Sequence, residues 1–431
     1  MNTLIRNGLI LTMDEADTTY QCGVVAVSGG QIAYVGEEAS LPQGFAADRV
    51  LDAAGSIVMP GFVNAHTHLA MTLLRGYGSD LNLQDWLEKM VWPAEDRLKP
   101  GDCYWGSMLG LAEMIRTGTT AFLDMYFFMD ETARAVEETG MRAVLSRGLI
   151  GLAPSFDKAL AESEALHRDF HGAADGRITV MLAPHAEYTN SEGSIRRVVE
   201  LANQLNCGIH IHVQETKAET EACVARHGMS PVKWLESLGV FSRPTVAAHC
   251  VTVDAEDIEI LRCNNISVAS NPGSNMKLAS GIAPVDAMLR AGINVALGTD
   301  GASSNNNLDM LEEARLCALC AKLREGNPAA LAAPTALRMA TIGGAKALGI
   351  DTITGSLEVG KDADIIMISG SSPSMHPMID PVANLVYSAS AHDVSMTMVK
   401  GRILMENRQI IGMDLEKILR QADKISAEIC G

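Results

Sequence analysis

Ile57-Val58-Met59-Pro60-Gly61-Phe62-Val63-Asn64-Ala65-His66-Thr67-His68 carries a nearly unbroken apolar run into two histidines one residue apart. A short apolar run of this kind reads as a strand buried on both faces, as in a parallel sheet. Seven more candidates follow: Thr119–Asp124, Arg142–Arg147, Ile178–His185, Gly208–Val213, Thr245–His249, Ile266–Asn271 and Ile293–Thr299. Amphipathic helical patterns separate them, for instance Asp102–Arg116, Ser191–Asn206 and Asp254–Cys263. Eight strand–helix units predict an α/β fold, a closed (β/α)8 or TIM barrel over residues 59–356. The rival, an open doubly wound sheet, would normally use fewer strands.

Outward from that run, both ends of the chain read as short strands and tight turns. Leu4–Met13, Val24–Ser28, Gly29-Gly30 and Gln31–Val35 give a hairpin signal at the front. Ala363–Ile368, Val394–Val399, Lys400-Gly401 and Arg402–Met405 repeat it at the back. Neither set is large enough to bury a core alone. The economical reading is a small composite β-sandwich from residues 1–58 and 357–413 with the barrel inserted between. Residues 414–431 then hold an amphipathic helix, Leu415–Ile429, expected to dock on the body of the chain.

With 431 residues, 47% of them apolar and 20% charged, the chain can bury a large core and is not a disordered one. A net charge of −18 argues against nucleic-acid and anionic-membrane partners, both of which call for a basic face. Nine cysteines without disulfide-like spacing fit a reducing cytoplasm. Cys317 and Cys320 form a C-x-x-C, but in the helical run Leu308–Lys322 with no second pair they read as helix packing. No signal-peptide stretch opens the sequence, and no apolar run approaches the roughly 20 residues of a membrane span.

Each strand candidate delivers a polar residue at or just past its C-terminal end: His66/His68, Asp124, Arg147, His185, His210/His212, His249, Asn271 and Asp300. That face is where barrels of this type build active sites. His66 and His68, at i and i+2, can turn both imidazoles toward one metal. His212 ends the fifth strand, and Glu215 follows where the chain can curl over the metal, near a reacting water yet free to move a proton. His210 shares the face of His212 and competes as a ligand; a hydrogen-bonded histidine inside the barrel is the plainer reading. His249 closes the sixth strand. Asp300 closes the eighth, where a carboxylate following apolar residues needs a cation or a donor. Histidines and one aspartate leave an open position for water, the mark of a catalytic metal site.

Pro60–His68, His212-x-x-Glu215, Ala248-His249-Cys250 and Gly298-Thr299-Asp300-Gly301 resemble the amidohydrolase superfamily. More narrowly, the chain is similar to the methylthioadenosine/S-adenosylhomocysteine deaminase group, over almost its whole length. The resemblance implies zinc held by His66, His68, His212 and Asp300, with His249 beside the reacting water, Glu215 relaying protons and Asp300 helping to activate the water. Iron suits the same nitrogen and oxygen ligands. It also implies substrate contacts from Trp86 and Glu95, covering the nucleoside and binding its ribose, from Arg147 to the substrate tail, and from His185 to the purine. Taken alone, Trp86 reads as helix packing and Glu95 as a solvated helix residue. Binuclear members use a carboxylated lysine on the fourth strand; Ile178–His185 has none, so one ion per chain is expected.

The implied reaction is hydrolytic deamination of an adenosine-type nucleoside (methylthioadenosine, adenosine or S-adenosylhomocysteine) to the inosine-type product and ammonia. Members that accept S-adenosylhomocysteine can place a second arginine after the third strand; here Ile150–Lys158 offers only Lys158, a point charge and not a fork. The rivals are a chlorotriazine hydrolase or a guanine or pterin deaminase on the same scaffold, and a non-catalytic scaffold, which would have lost ligands or the proton shuttle. Barrels of this class commonly pair, so a homo-oligomer, dimer or tetramer, is expected.

Overall fold

The computed structural model describes all 431 residues. Eight parallel strand positions form the barrel: Phe62–Thr67, Thr119–Tyr126, Arg142–Leu149, the interrupted pair Ile178–Val180 and Ala183–Pro184, Ile209–Val213, Thr245–His249, Ser267–Ser270 and Val295–Leu297. The fourth joins the fifth through bridges Leu182 to Ile209 and Ala186 to His212. The Asp300 amide donates to the His66 carbonyl at 3.0 Å and ties the eighth strand to the first. Inward-facing Val63, Ala65, Ala121, Leu123, Val144, Val246, Ala269 and Ala296 share one buried cluster with Ile342 and Ala345 of the helix Ile342–Ala347. This apolar plug fills the barrel below the histidines, as small β-barrels require.

The expected first strand, Ile57–His66, is in fact two. Ile57–Pro60 lies in the terminal sheet, parallel to Thr3–Leu11 and antiparallel to Ile365–Ile368, while Phe62–Thr67 lies in the barrel. The break falls at Gly61, where a Cβ would come within 2.1 Å of Thr120. Only glycine lets the chain cross between the two units this closely.

The chain ends build one continuous nine-stranded sheet. Its order runs Gln409–Ile410, Arg402–Glu406, Val394–Val399, Ile365–Ile368, Ile57–Pro60, Thr3–Leu11, Thr19–Ser28, Gln31–Glu37, with Arg49–Asp52 also on Thr3–Leu11. It folds over its own core: Ile5, Val25, Ile32, Val58, Ile365, Met396 and Ile403, from seven strands, share one cluster. The alternate residues Ile57, Met59, Ile366 and Ile368 face the barrel and join its core. That alternation is the period-2 pattern of a sheet packed on both faces. The helix Leu415–Cys430 buries Ile418, Ala422, Ile425 and Ile429, an i, i+4, i+7, i+11 stripe, against the main core.

Arg142, buried at the start of the third barrel strand, donates from Nε to Asp364 Oδ2 (2.8 Å) and from Nη2 to Asp362 Oδ2 (2.7 Å). It pins the terminal sheet to the barrel. Replacing it with methionine strands two carboxylates without their cation, and a loss of about 3–5 kcal/mol is expected. Equilibrium urea unfolding checks this; a change below about 1 kcal/mol would show that the pair contributes nothing net. All nine cysteines are free, Cys317 is buried in the helix Met310–Glu325, and no helix is long and apolar enough to cross a membrane.

Candidate active site

The strand ends bring His66, His68, His212, His249 and Asp300 together. Ligand atoms of His66, His212 and His249 lie within 4.8 Å of one another, as do those of His66, His68 and Asp300. Asp300 Oδ1 is 3.3 Å from His66 Nε2 and 3.2 Å from His68 Nε2, and His212 Nε2 is 3.2 Å from His68 Nε2. A register shift between Asn64 and Thr67 spans His66, a common device for re-aiming a strand residue at a site. Gly298 permits the close approach of the eighth strand: a Cβ there would lie 2.8 Å from the His66 amide nitrogen. Gln214, His249 and Asp300 all have positive φ (49°, 73° and 59°), strained backbone at the positions that aim Glu215, His249 and Asp300 inward.

Each imidazole is oriented from behind. His68 Nδ1 donates to the Met125 carbonyl (2.6 Å), His212 Nδ1 to the His185 carbonyl (2.6 Å) and His249 Nδ1 to Asn275 Oδ1 (2.8 Å). His66 Nδ1 meets His210 Nε2 at 2.8 Å, and His210 Nδ1 faces Ser146 Oγ at 3.3 Å. His210 therefore stands behind His66, hydrogen-bonded inside the barrel. Such contacts fix the tautomer and leave each Nε2 lone pair facing inward. Asp300 Oδ2 accepts from Ser274 Oγ (2.6 Å) and Ser304 Oγ (2.8 Å), which turns Oδ1 toward the histidines.

This donor set fits a divalent cation. His66 Nε2 is buried and makes no hydrogen bond. Burial lowers His66 to about 4 and His185 to about 3, and drives His210 and His212 well below the usual histidine value. These rings are neutral at pH 7, as ligands must be. Burial opposes ionisation of Asp300, but His66 and His68 hold its carboxyl well below the usual range. His68 is the exception: against burial, Asp300 raises it to about 9, holding a proton that a cation between the two would displace. A second group, Glu187, Cys223 and His227, has its carboxylate already paired with Arg226 at 2.5 Å.

Glu215 lies beside this cluster, its Oε2 3.8 Å from His249 Nε2, and burial raises its carboxyl above the usual value. Its backbone amide donates to Glu219 Oε2 (2.8 Å) and that of Gln214 to Glu219 Oε1 (3.2 Å), so a buried second glutamate holds the turn that presents it. Trp86, Glu95, His185, His68, His212 and Asp300 line one inner cavity. Trp86 and Glu95 reach it on consecutive helical turns, Leu83–Trp86, Leu87–Val91 and Trp92–Glu95. The middle turn is wide, as expected just before Pro93, which has no N–H to donate. Glu95 is thus no solvated helix residue; burial raises its carboxyl to about 7, against a hydrogen bond from Tyr126.

Arg147 lies further out, in a cleft of about 1030 Å³ that shares Glu95, Phe127 and Tyr188 with the inner cavity. Tyr126, Phe127 and Tyr188 also line the inner cavity and were not singled out from sequence. Tyr126 ends the second strand two residues after Asp124, and Tyr188 follows His185 by three. Position at the strand ends was the available signal.

Fold and site together define an α/β barrel whose strand ends gather a histidine–aspartate cluster able to hold a divalent cation. The amidohydrolase family model matches residues 57–404, and the chain belongs to that family. It is 50% identical over 423 residues (98% of each chain) to a 5-methylthioadenosine/S-adenosylhomocysteine deaminase of Pelotomaculum thermopropionicum. It is also 50% identical over 428 residues (99% of this chain, 98% of the other) to a 5'-deoxyadenosine deaminase of Methanosarcina acetivorans. Among solved structures, an adenosine deaminase of Xanthomonas campestris with bound zinc superposes with a TM-score of 0.95 at 36% identity, over 99% of this chain and 98% of that one.

Proposed function

We propose that this chain is a metal-dependent aminohydrolase that converts an adenosine-type nucleoside to its inosine-type product and ammonia. The observation that carries the reading is Glu215 beside His249 at the rim of the His66, His68, His212 and Asp300 cluster, inside the cavity that Trp86, Glu95 and His185 line. Relatives of half identity carry names for 5-methylthioadenosine, S-adenosylhomocysteine and 5'-deoxyadenosine, which favours this class over triazine, guanine and pterin substrates. A scaffold without catalysis would have no need of the full donor set.

His66, His68, His212 and Asp300 would hold one zinc ion, or iron, per chain. When bound, the ion supplies Lewis acidity that makes a water nucleophilic near pH 7. Glu215 takes a proton from the attacking water and delivers it to N1 of the adenine, which makes C6 electrophilic. The water oxygen then adds to C6. His249, fixed by Asn275, orients that oxygen, and with Asp300 steadies the tetrahedral centre. Asp300 accepts the second water proton and passes it to the amino group, which leaves as ammonia. Trp86 covers the nucleoside and excludes water, Glu95 accepts from the ribose hydroxyls, and His185 contacts the purine. Arg147 stands at the 5' end.

Residues 61–356 form the catalytic unit, 1–60 with 357–413 its buttress, and 414–431 a docked helix, the boundary falling two residues later than the sequence suggests. Nine free cysteines suit a reducing cytoplasm, and we expect a homo-oligomer, dimer or tetramer. The test is loss of adenosine-type ultraviolet absorbance with metal-analysed protein. Turnover of at least one of adenosine, 5'-deoxyadenosine, methylthioadenosine and S-adenosylhomocysteine is expected, to be abolished by chelation and restored by zinc. Inertness toward all four would defeat the reading.

A further inference from the structure

Substrates of this class differ at the 5' position: hydrogen, methylthio, hydroxyl, or an amino-acid thioether that carries a carboxylate. A carboxylate is best held by a guanidinium offering two adjacent N–H donors. Arg147 does not present its side-on pair freely. Its Nε donates to Glu162 Oε2 at 2.9 Å, and its Nη1 donates to the Gly148 carbonyl. Of its five N–H groups one on Nη1 and two on Nη2 remain, but the side-on Nε/Nη2 edge has lost a member and the guanidinium's charge is already paired with Glu162. The plane is held by the Phe127 ring, 4.8 Å from the guanidinium carbon, which keeps Arg147 in this orientation. The cleft's other cation, Lys158, is mostly solvent-exposed and also faces Glu162, at 3.6 Å. Glu95, Asp96, Asp130 and Asp169 complete the charged lining. The surface around the 5' end therefore presents carboxylates, neutralised cations and apolar side chains such as Ile150 and Leu152.

We propose that Glu162, from the helix Phe156–Phe170, is a specificity-determining residue that acts through Arg147. By occupying the guanidinium it selects nucleosides with a small, uncharged 5' substituent over those bearing an amino-acid carboxylate. The inference rests on the deaminase reading above and goes beyond it by naming what rejects the charged tail. Glu162 is 42% exposed, so a neutral amide of the same shape can be accommodated at that position.

The test is the ratio of kcat/KM for S-adenosylhomocysteine to that for methylthioadenosine, in which any loss of active enzyme cancels. For the unmodified chain the ratio is expected below one. Glu162→Gln is expected to raise it about tenfold, through the KM for S-adenosylhomocysteine, because a released fork gains a bidentate ion pair. In an Arg147→Met background the same substitution is expected to leave the ratio unmoved. A ratio that stays constant in Glu162→Gln overturns the proposal. So does one that falls, which would make Glu162 the partner of the substrate's ammonium group. If no nucleoside is turned over, the deaminase reading itself fails; robust turnover with an unmoved ratio sinks only the role of Glu162.

Discussion

Glu215→Gln is expected to retain its metal and lose at least about 100-fold in kcat, the scale of a removed general acid–base. The substitution preserves shape and one hydrogen-bonding oxygen but cannot carry a proton. The backbone that presents residue 215 is held independently, by Glu219 accepting from the amides of Gln214 and Glu215. Folding and metal content should therefore not change, and the loss should fall on chemistry alone. Atomic absorption and steady-state kinetics on the same sample separate the two effects. Turnover within a few-fold of normal, with metal present, would remove Glu215 from the proton path.

Asp300→Asn is expected to cost both metal and turnover, the latter by about 1,000-fold or more, since the proposed reaction uses this one residue as ligand and as proton acceptor. Asparagine tolerates the left-handed backbone that Asp300 adopts at φ 59°, so strain is not the cause. What disappears is the anionic oxygen. Ser274 and Ser304 both donate to Oδ2, and without the charge the oxygen facing His66 and His68 is a weak carbonyl acceptor or an amide donor. The metal-to-protein ratio after gel filtration and kcat at saturating metal are the measurements. A variant that keeps stoichiometric metal and half its activity would contradict both roles.

The barrel was legible because its strands are buried on both faces and its helices are amphipathic, so the two periods alternate cleanly along the chain. The residues of the histidine–aspartate cluster were legible for a related reason: a histidine or aspartate ending an apolar run stands out against it. Three features escaped. The passage from terminal sheet to barrel at Gly61 lies inside one apolar run, because both units bury that segment and composition does not change. Arg49–Asp52 alternates half-buried and exposed positions at a sheet edge and has no apolar signature. The groups behind the histidines and Asp300, namely Asn275, Ser274, Ser304 and the carbonyls of Met125 and His185, are polar atoms in the short helix Pro272–Lys277, a turn and strand ends. Apart from Ser304, four residues beyond Asp300, their partners lie 26 or more residues away, so only the closed fold reveals them. Glu162 belongs with these, an unremarkable helix glutamate until the third strand delivers Arg147 beside it.

The amide of Asp300 reaching the carbonyl of His66 has a consequence for how the molecule comes into being. The seam of the cylinder runs through the reaction centre itself, between the earliest and the latest of its strands to be synthesised. A nascent polypeptide halted before that last strand would carry every imidazole of the cluster and still lack the neighbour that holds the first of them in register. The full donor set is thus complete only with ring closure, when the stretch after the eighth strand brings Asp300 to the first. The finished chain gains a clasp where its two edges meet.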